Sequence, residues 1–426
     1  ISINPTEKRG FFMSKSPMTR AEKSWVLYDV ACSAFTMLIS TTIPILFRSY
    51  AEADGVSPEY ASALWGWATS AAVLVMGLFS CILGALADYR GMKKRLFGLF
   101  LLLSLGGVAV LSTVSGWQAF LVAFVVVRIG YSACNVFYDS MLVDVTTDQR
   151  MDMLSSQGYA WGYLGSCIPF VAGLALIFTT PFGLNTQQAT QLSFLLTGVW
   201  WLALTIPLLR NVRQIHYLEN RQGKLNHAFR RLAQTFRKVR QDKKMLLFIL
   251  GYFCYIDGVY TIISMATVYG GELGLSSSSM VLALLLTQLV AFPFAILSGK
   301  LSQKIGDLPM IKSFILIYIG ICLFGFQLDQ EWEFWTLAVA VGMCQGGIQA
   351  ISRSHFGKMV PKEQSNEYFG LFDIFGKFAD FFGPMIMSAS AVLLGSSTYG
   401  ILALAALFVL GYLMVTFSQR AEAGER

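Results

Sequence analysis

Two apolar runs, residues 60–83 and 96–114, are separated only by Gly84-Ala85-Leu86-Ala87-Asp88-Tyr89-Arg90-Gly91-Met92-Lys93-Lys94-Arg95. A helix crosses a bilayer in about 20 apolar residues, so each run can span one. A connection this short and glycine-bracketed forces the two helices into a hairpin. Its cations, Arg90, Lys93, Lys94 and Arg95, assign that side to the cytoplasm, because basic loops are retained inside. With 55% hydrophobic and 13% charged residues, the chain lies far from the balance of a soluble domain.

The hairpin has a second copy. Gly299-Lys300-Leu301-Ser302-Gln303-Lys304-Ile305-Gly306 repeats the glycine spacing between two later apolar runs, at an offset of 215 residues. Pro169 and Pro384, each inside an apolar run, differ by the same offset. A repeat of this length in a membrane chain points to a transporter built from two halves. Gln303 stands where the first copy has Asp88, so a charged latch here is asymmetric.

These runs give an all-α membrane protein of twelve transmembrane helices in two six-helix pseudo-repeats. The expected organisation is a cytoplasmic tail (1–23), a first bundle (24–209), a basic amphipathic linker (210–244), a second bundle (245–418) and a cytoplasmic tail (419–426). Thr19-Arg20-Ala21-Glu22 reads as a capping box that starts the first helix. In the linker, eleven Lys and Arg accompany Leu225, Phe229, Leu232, Phe236 and Val239, spaced as one helical face. Such a helix lies along the inner leaflet and tethers the halves. Met13 is a candidate natural start, with residues 1–12 upstream of it.

The net charge of +7 does not imply a nucleic-acid partner. All Lys and Arg except Arg48, Arg128 and Lys377 fall in loops, tails or helix ends assigned to the cytoplasmic side. The seven cysteines lie in apolar runs with no C-x-x-C spacing, as packing residues do. The polar first twenty-odd residues give no secretory signal. No phosphate-binding loop is present to drive an ATP-type pump, and no cofactor or metal is expected.

Ionisable side chains within a bilayer cost about 2.5–3.5 kcal/mol each, so every one is a functional candidate. Here they are Asp29, Arg128, Asp139, Asp257, Arg353, Asp373, Lys377 and Asp380. Asp257, near the middle of the seventh span and beside Gly258, reads either as a site for a substrate amine or a proton, or as a packing aspartate. Asp29, after Tyr28, is its first-half counterpart. Asp373, Lys377 and Asp380 share one helix face and can pair. Arg128 and Asp139 are about 16 Å apart along one helix, so Arg128 needs another partner. Arg353 and Asp139 fall near the cytoplasmic ends of matching helices, where an inner-gate ion pair is expected.

The pattern G-x-x-x-D-x-x-G-x-[RK]-[RK]-[RK] of the opening hairpin resembles the loop between helices two and three of the major facilitator superfamily. Further segments resemble its vacuole-effluxer-like branch, whose fungal members release amino acids from the vacuole. They include Trp25-Val26-Leu27-Tyr28-Asp29, Tyr138-Asp139-Ser140, Gly158-Tyr159-Ala160-Trp161-Gly162, Asp257-Gly258-Val259-Tyr260-Thr261 and Gln349-Ala350-Ile351-Ser352-Arg353. Cys32 stands where that branch suggests asparagine. The resemblance implies efflux of amino acids or peptide-like solutes.

The expectation is a multi-pass protein of a bacterial inner membrane, a monomer with no nucleic-acid partner. It moves a small polar or zwitterionic solute by alternating access, driven by a proton or solute gradient. Asp257, Asp29, Arg128, Lys377, Tyr28 and Gln349 are the candidate substrate or proton residues. Gly84, Asp88, Gly91, Arg95, Asp139, Arg353, Asp373 and Asp380 are the candidate gate, with Asp88 and Arg95 as a latch. Two alternatives stay open: an amphiphilic or lysolipid-like substrate, and a receptor that binds without transport. An enzyme would need a convergent catalytic set, and the only histidine outside the linker is His355.

Overall fold

The computed structural model describes residues 17–219, 224–272, 276–328, 330–394 and 398–424. Among them the first half holds α1 (Arg20–Ser40), α2 (Thr42–Ala53), α3 (Pro58–Ala87), α4 (Met92–Leu111), α5 (Trp117–Ser140), α6 (Leu142–Val145), α7 (Asp148–Thr179) and α8 (Thr186–Asn211). After α9 (Lys224–Gln241) come α10 (Lys243–Glu272), α11 (Ser277–Ile305), α12 (Asp307–Gly325), α13 (Glu331–Met359), α14 (Ser365–Leu394) and α15 (Thr398–Gly424).

Local chemistry sets the helix ends. The Thr19 hydroxyl accepts the Glu22 N–H at 3.1 Å and the Glu22 carboxylate accepts the Thr19 N–H at 2.7 Å, the reciprocal box that starts α1. Pro44 lacks an N–H and crowds the carbonyl four residues back, at Ser40, which is where α1 gives way to α2. The first hairpin is tighter than its glycine spacing suggests. α3 continues through Gly84 to Ala87, and α4 starts at Met92 after Gly91 turns the chain at φ +72°.

Gly84 therefore serves packing, not turning. A Cβ there would come within 2.8 Å of the Asn366 carbonyl carbon on α14. Its repeat partner Gly299, on α11, sits against Ser156 of α7, where a Cβ would stand 2.7 Å from the Ser156 Cβ. Small residues let helix backbones approach closely in lipid, and these two glycines are where the halves meet, α3 on α14 and α11 on α7. Within the first half α1 packs on α7 and α8, and α4 on α5; within the second α10 packs on α14 and α15, and α11 on α13.

Eleven segments among the described residues are long and apolar enough to cross a membrane. α14 is equally long at 30 residues but carries Asp373, Lys377 and Asp380. Large apolar side chains face outward all round, such as Leu102 (68% exposed) and Phe178 (80%), as lipid-facing helices require. The chain is an integral multi-pass membrane protein with the two-bundle fold.

The linker helix α9 docks on α3 and α10. Arg231, Thr235 and Val239, four residues apart, are buried against them, while Phe236 is 47% exposed beside Arg237 and Lys238. The expected apolar stripe is thus split between the protein and the outside, because the docked face is centred on Arg231. The side chains of Leu225 and Phe229 lie outside the described residues.

Candidate functional site

α13 carries Arg353 into the first half. Its Nη1 donates to Asp139 on α5 at 2.9 Å, its Nη2 to Asp29 on α1 at 3.2 Å, and its Nε to the Ser155 hydroxyl on α7 at 3.0 Å. The guanidinium also lies 4.7, 5.5 and 4.4 Å from the ring centres of Trp25, Tyr138 and Tyr159. A planar, delocalised cation suits both demands, a fork of donors and stacking on aromatic faces. The Tyr138 hydroxyl donates to Asp29 at 2.9 Å, and the Trp25 indole N–H holds the Tyr138 carbonyl at 3.0 Å. Gly158 leaves the room: a Cβ would be 3.2 Å from Arg353 Nη2 and would collide with Asp29.

The charges do not balance locally. One guanidinium faces two carboxylates, and Asp139 keeps a third of its side chain exposed while Arg353 and Asp29 are nearly covered. On α14, Lys377 forms an ion pair with Asp373 one turn away. Asp373 lies within electrostatic reach of both Asp139 and Arg128. Arg128 also lies 5.9 Å from the Tyr131 ring centre. Gln349 donates to the Tyr163 hydroxyl at 3.4 Å, on the same interface of α13 with α7.

Other candidates lie elsewhere. Asp257 is 2% exposed and accepts the Gly383 N–H at 2.8 Å, on the turn that precedes Pro384. A proline disrupts the ladder around it, and a buried acceptor is needed there. Asp257 thus ties α10 to α14, whereas Asp29, its counterpart in the first half, sits in the Arg353 cluster. Tyr28 is fully covered inside the first half, 4.6 Å from the Tyr138 ring. The Cys32 thiol turns to its own helix, on the Asp29 carbonyl at 3.6 Å. The side chain of Asp380 lies outside the described residues.

The latch at the hairpin has a different partner from the expected one. Arg95 is exposed, whereas Asp88 is fully covered and takes Arg231 of α9 at 3.1 Å. Arg95 starts α4 pointing away because Lys93 occupies the inner face, donating to Asp144 at 2.6 Å. Asp88 also accepts the Asn366 backbone N–H and side-chain amide, both at 2.9 Å, at the N-terminus of α14. Arg231 continues to Glu367 at 2.5 Å, so the linker bridges both halves. Burial pushes the Asp88 carboxyl up to about 7, against the pull of Asn366, Lys93 and Arg231.

A second set of contacts, unmarked by the sequence reading, lies beside it. Lys358 joins Asp152 at 2.6 Å and Asp307 at 3.0 Å, and Lys362 joins Asp148 at 3.0 Å. The repeat offset pairs Asp152 with Glu367, a signal that could have found both. Among the described residues, every ion pair that crosses between the halves lies at this basic end. No cluster of metal-ligand type occurs among them.

The pattern of the family described as "Vacuole effluxer Atg22 like" matches residues 59–425. The chain belongs to this family. It is 40% identical over 407 residues to the MFS-type transporter YxiO of Bacillus subtilis, covering 94% of this chain and 95% of that one. It is 25% identical over 448 residues to autophagy-related protein 22 of Eremothecium gossypii, covering 90% and 87%. Solved structures of like fold include the human organic anion transporter MFSD10, with a TM-score of 0.72 at 16% identity over 94% of this chain and all of that one. FucP in its outward conformation gives 0.72 at 14%, over 94% and 98%. This effluxer-like chain is therefore a membrane transporter of the major facilitator type, not an enzyme.

Proposed function

We propose that the chain exports a small zwitterionic solute, an amino acid or peptide-like molecule, by alternating access coupled to protons. The observation that carries this reading is Arg353, which holds Asp29 and Asp139 of the opposite half in one contact. A site with the partly exposed Asp139 on one side and the cations Arg128 and Lys377 on the other suits a solute with both charges. The partly exposed Asp139 carboxylate receives the ammonium group or a proton, and Arg128 or Lys377 receives the carboxylate. Entry of either ligand competes with Arg353 for Asp139, which loosens the closed end.

Several features support the finer parts of the reading. The Lys and Arg excess at the basic end supports a cytoplasmic position for that end and for both termini, in a bacterial inner membrane. The reading takes 24–209 and 245–418 as the halves, joined by 210–244, and the presence of the whole candidate site within one chain supports a monomer. The family's description as vacuole-effluxer-like favours export.

Counterflow into proteoliposomes with labelled amino acids and dipeptides tests the proposal. The wild type is expected to accumulate at least one of them, and Asp139→Asn to accumulate about tenfold less or lower, the loss of one charge-assisted contact. No accumulation of any zwitterion by the folded wild type refutes the substrate class.

A further inference from the structure

A cavity of about 440 Å³ opens at the basic end, lined by Arg90, Gly91, Lys94, Arg213, Gln214 and Tyr217. Three of its six lining residues are cations and none is a carboxylate. None of the ion pairs among the described residues engages Arg90, Lys94 or Arg213. Arg90 and Lys94 are nevertheless held in place. The Arg90 guanidinium lies 5.3 Å from the Tyr217 ring centre, Lys94 Nζ donates to the Leu209 carbonyl at 2.5 Å, and the Gly91 N–H donates to Gln214 at 3.0 Å. Backbone bonds from Arg90 N–H to the Leu218 carbonyl (3.1 Å) and from Leu218 N–H to the Asp88 carbonyl (2.9 Å) join the two walls.

Like charges gathered around one opening, without a counter-charge, repel each other unless an anion enters. We propose that this cavity binds a phosphate group, and that its source is the headgroup of an anionic lipid. Its depth fits that source. The cavity lies where α4 begins at Met92 and α8 ends at Asn211, the level at which spanning helices leave the hydrocarbon for the headgroups. Ile215, 61% exposed, follows Gln214 on the same wall and offers an apolar contact to an acyl chain. Basic pockets between helix ends on the cytoplasmic face suit such headgroups. A phosphate shared by Arg90, Lys94 and Arg213 pins residues 213–218 onto the α3–α4 turn, directly beside Asp88. The cavity is separate from the Arg353 cluster, so the proposal does not depend on the transported solute.

The test is thermal unfolding of the purified full chain in detergent, titrated with phosphatidylglycerol, with phosphatidylcholine or with inorganic phosphate at constant ionic strength. Phosphatidylglycerol is expected to raise the transition temperature saturably and phosphatidylcholine to do so far less. Arg90→Gln, Lys94→Gln and Arg213→Gln should each weaken the apparent affinity roughly fivefold. Arg90 and Arg213 are exposed, so those two variants carry the test if Lys94→Gln fails to fold. A saturable shift with inorganic phosphate, lost in the same variants, keeps the site and assigns it to soluble phosphate. Equal shifts with both lipids, or a phosphatidylglycerol shift indifferent to the substitutions, overturns the proposal.

Discussion

Asp139 and Arg353 stand 214 residues apart, one short of the internal repeat, and pair at 2.9 Å. They occupy matching places in the two halves and carry opposite charges. Matching positions meet where pseudo-symmetric halves close, so opposite charge there turns a repulsion into an attraction. The same inversion recurs within each half. Lys93 bonds Asp144 at 2.6 Å in the first, and Asp307 bonds Lys358 at 3.0 Å in the second, at sites one residue off the repeat.

Arg353→Gln removes the cation from two carboxylates at once. Truncating one partner of a buried ion pair costs about 3–5 kcal/mol, so the closed basic end should lose most of its population. Arg353→Lys should recover little, because an ammonium lacks the planar fork that meets Asp139, Asp29 and Ser155 together. Counterflow rates and thiol accessibility at the basic end report both variants.

Gly84→Val should hold the basic end open. Even the first added carbon comes within 2.8 Å of the Asn366 backbone, which cannot move aside as a side-chain tip can. Gly91→Ala has no such neighbour but meets a φ of +72°, costing about 1 kcal/mol of stability without blocking closure. Labelling of a cysteine placed at the closed end, against unfolding midpoints, separates the two effects.

Arg231→Ala leaves the buried carboxylates of Asp88 and Glu367 without their shared cation. A double-mutant cycle of Arg231→Ala with Glu367→Gln should show coupling of about 1–3 kcal/mol in unfolding free energy. Additive effects would mean that the linker helix does not clamp the two halves.

Asp88 sets a pH dependence. Burial raises its carboxyl to about 7 from its ordinary 3.8, so only between those values does the closed form hold a proton that a hydrated Asp88 releases. Its preference for closure is full below 3.8, declines as pH rises toward about 7 and stays flat above. Asp88→Asn should abolish this slope in accessibility measured across that range.

Asp257→Asn should keep counterflow. The amide oxygen still accepts the Gly383 N–H, so the α10–α14 contact persists. Asp257→Leu removes the acceptor beside Pro384 and should lower stability by about 1–3 kcal/mol.

The architecture was legible because apolar run length and the Gly84/Gly299 repeat are one-dimensional signals of a two-half membrane bundle. The same offset sets Asp139 opposite Arg353 to within one residue. Asp257 keeps both of its sequence readings, since a charge in an apolar run looks the same whether it faces a substrate path or a proline-broken helix. The Asp88 partner was hidden for a related reason. Arg231 is one of eleven cations in the linker, and only the docking of α9 distinguishes it from the exposed ones.

The most direct test of the account is the distance across the basic end. Spin labels at Thr147 and Glu363, exposed residues of opposite halves, can be placed after the accessible native cysteines are replaced. Pulsed electron resonance on the wild type in nanodiscs should give a dominant short separation, and Arg353→Gln a dominant longer one. Identical distributions in the two proteins would contradict the claim that Arg353 holds the halves closed.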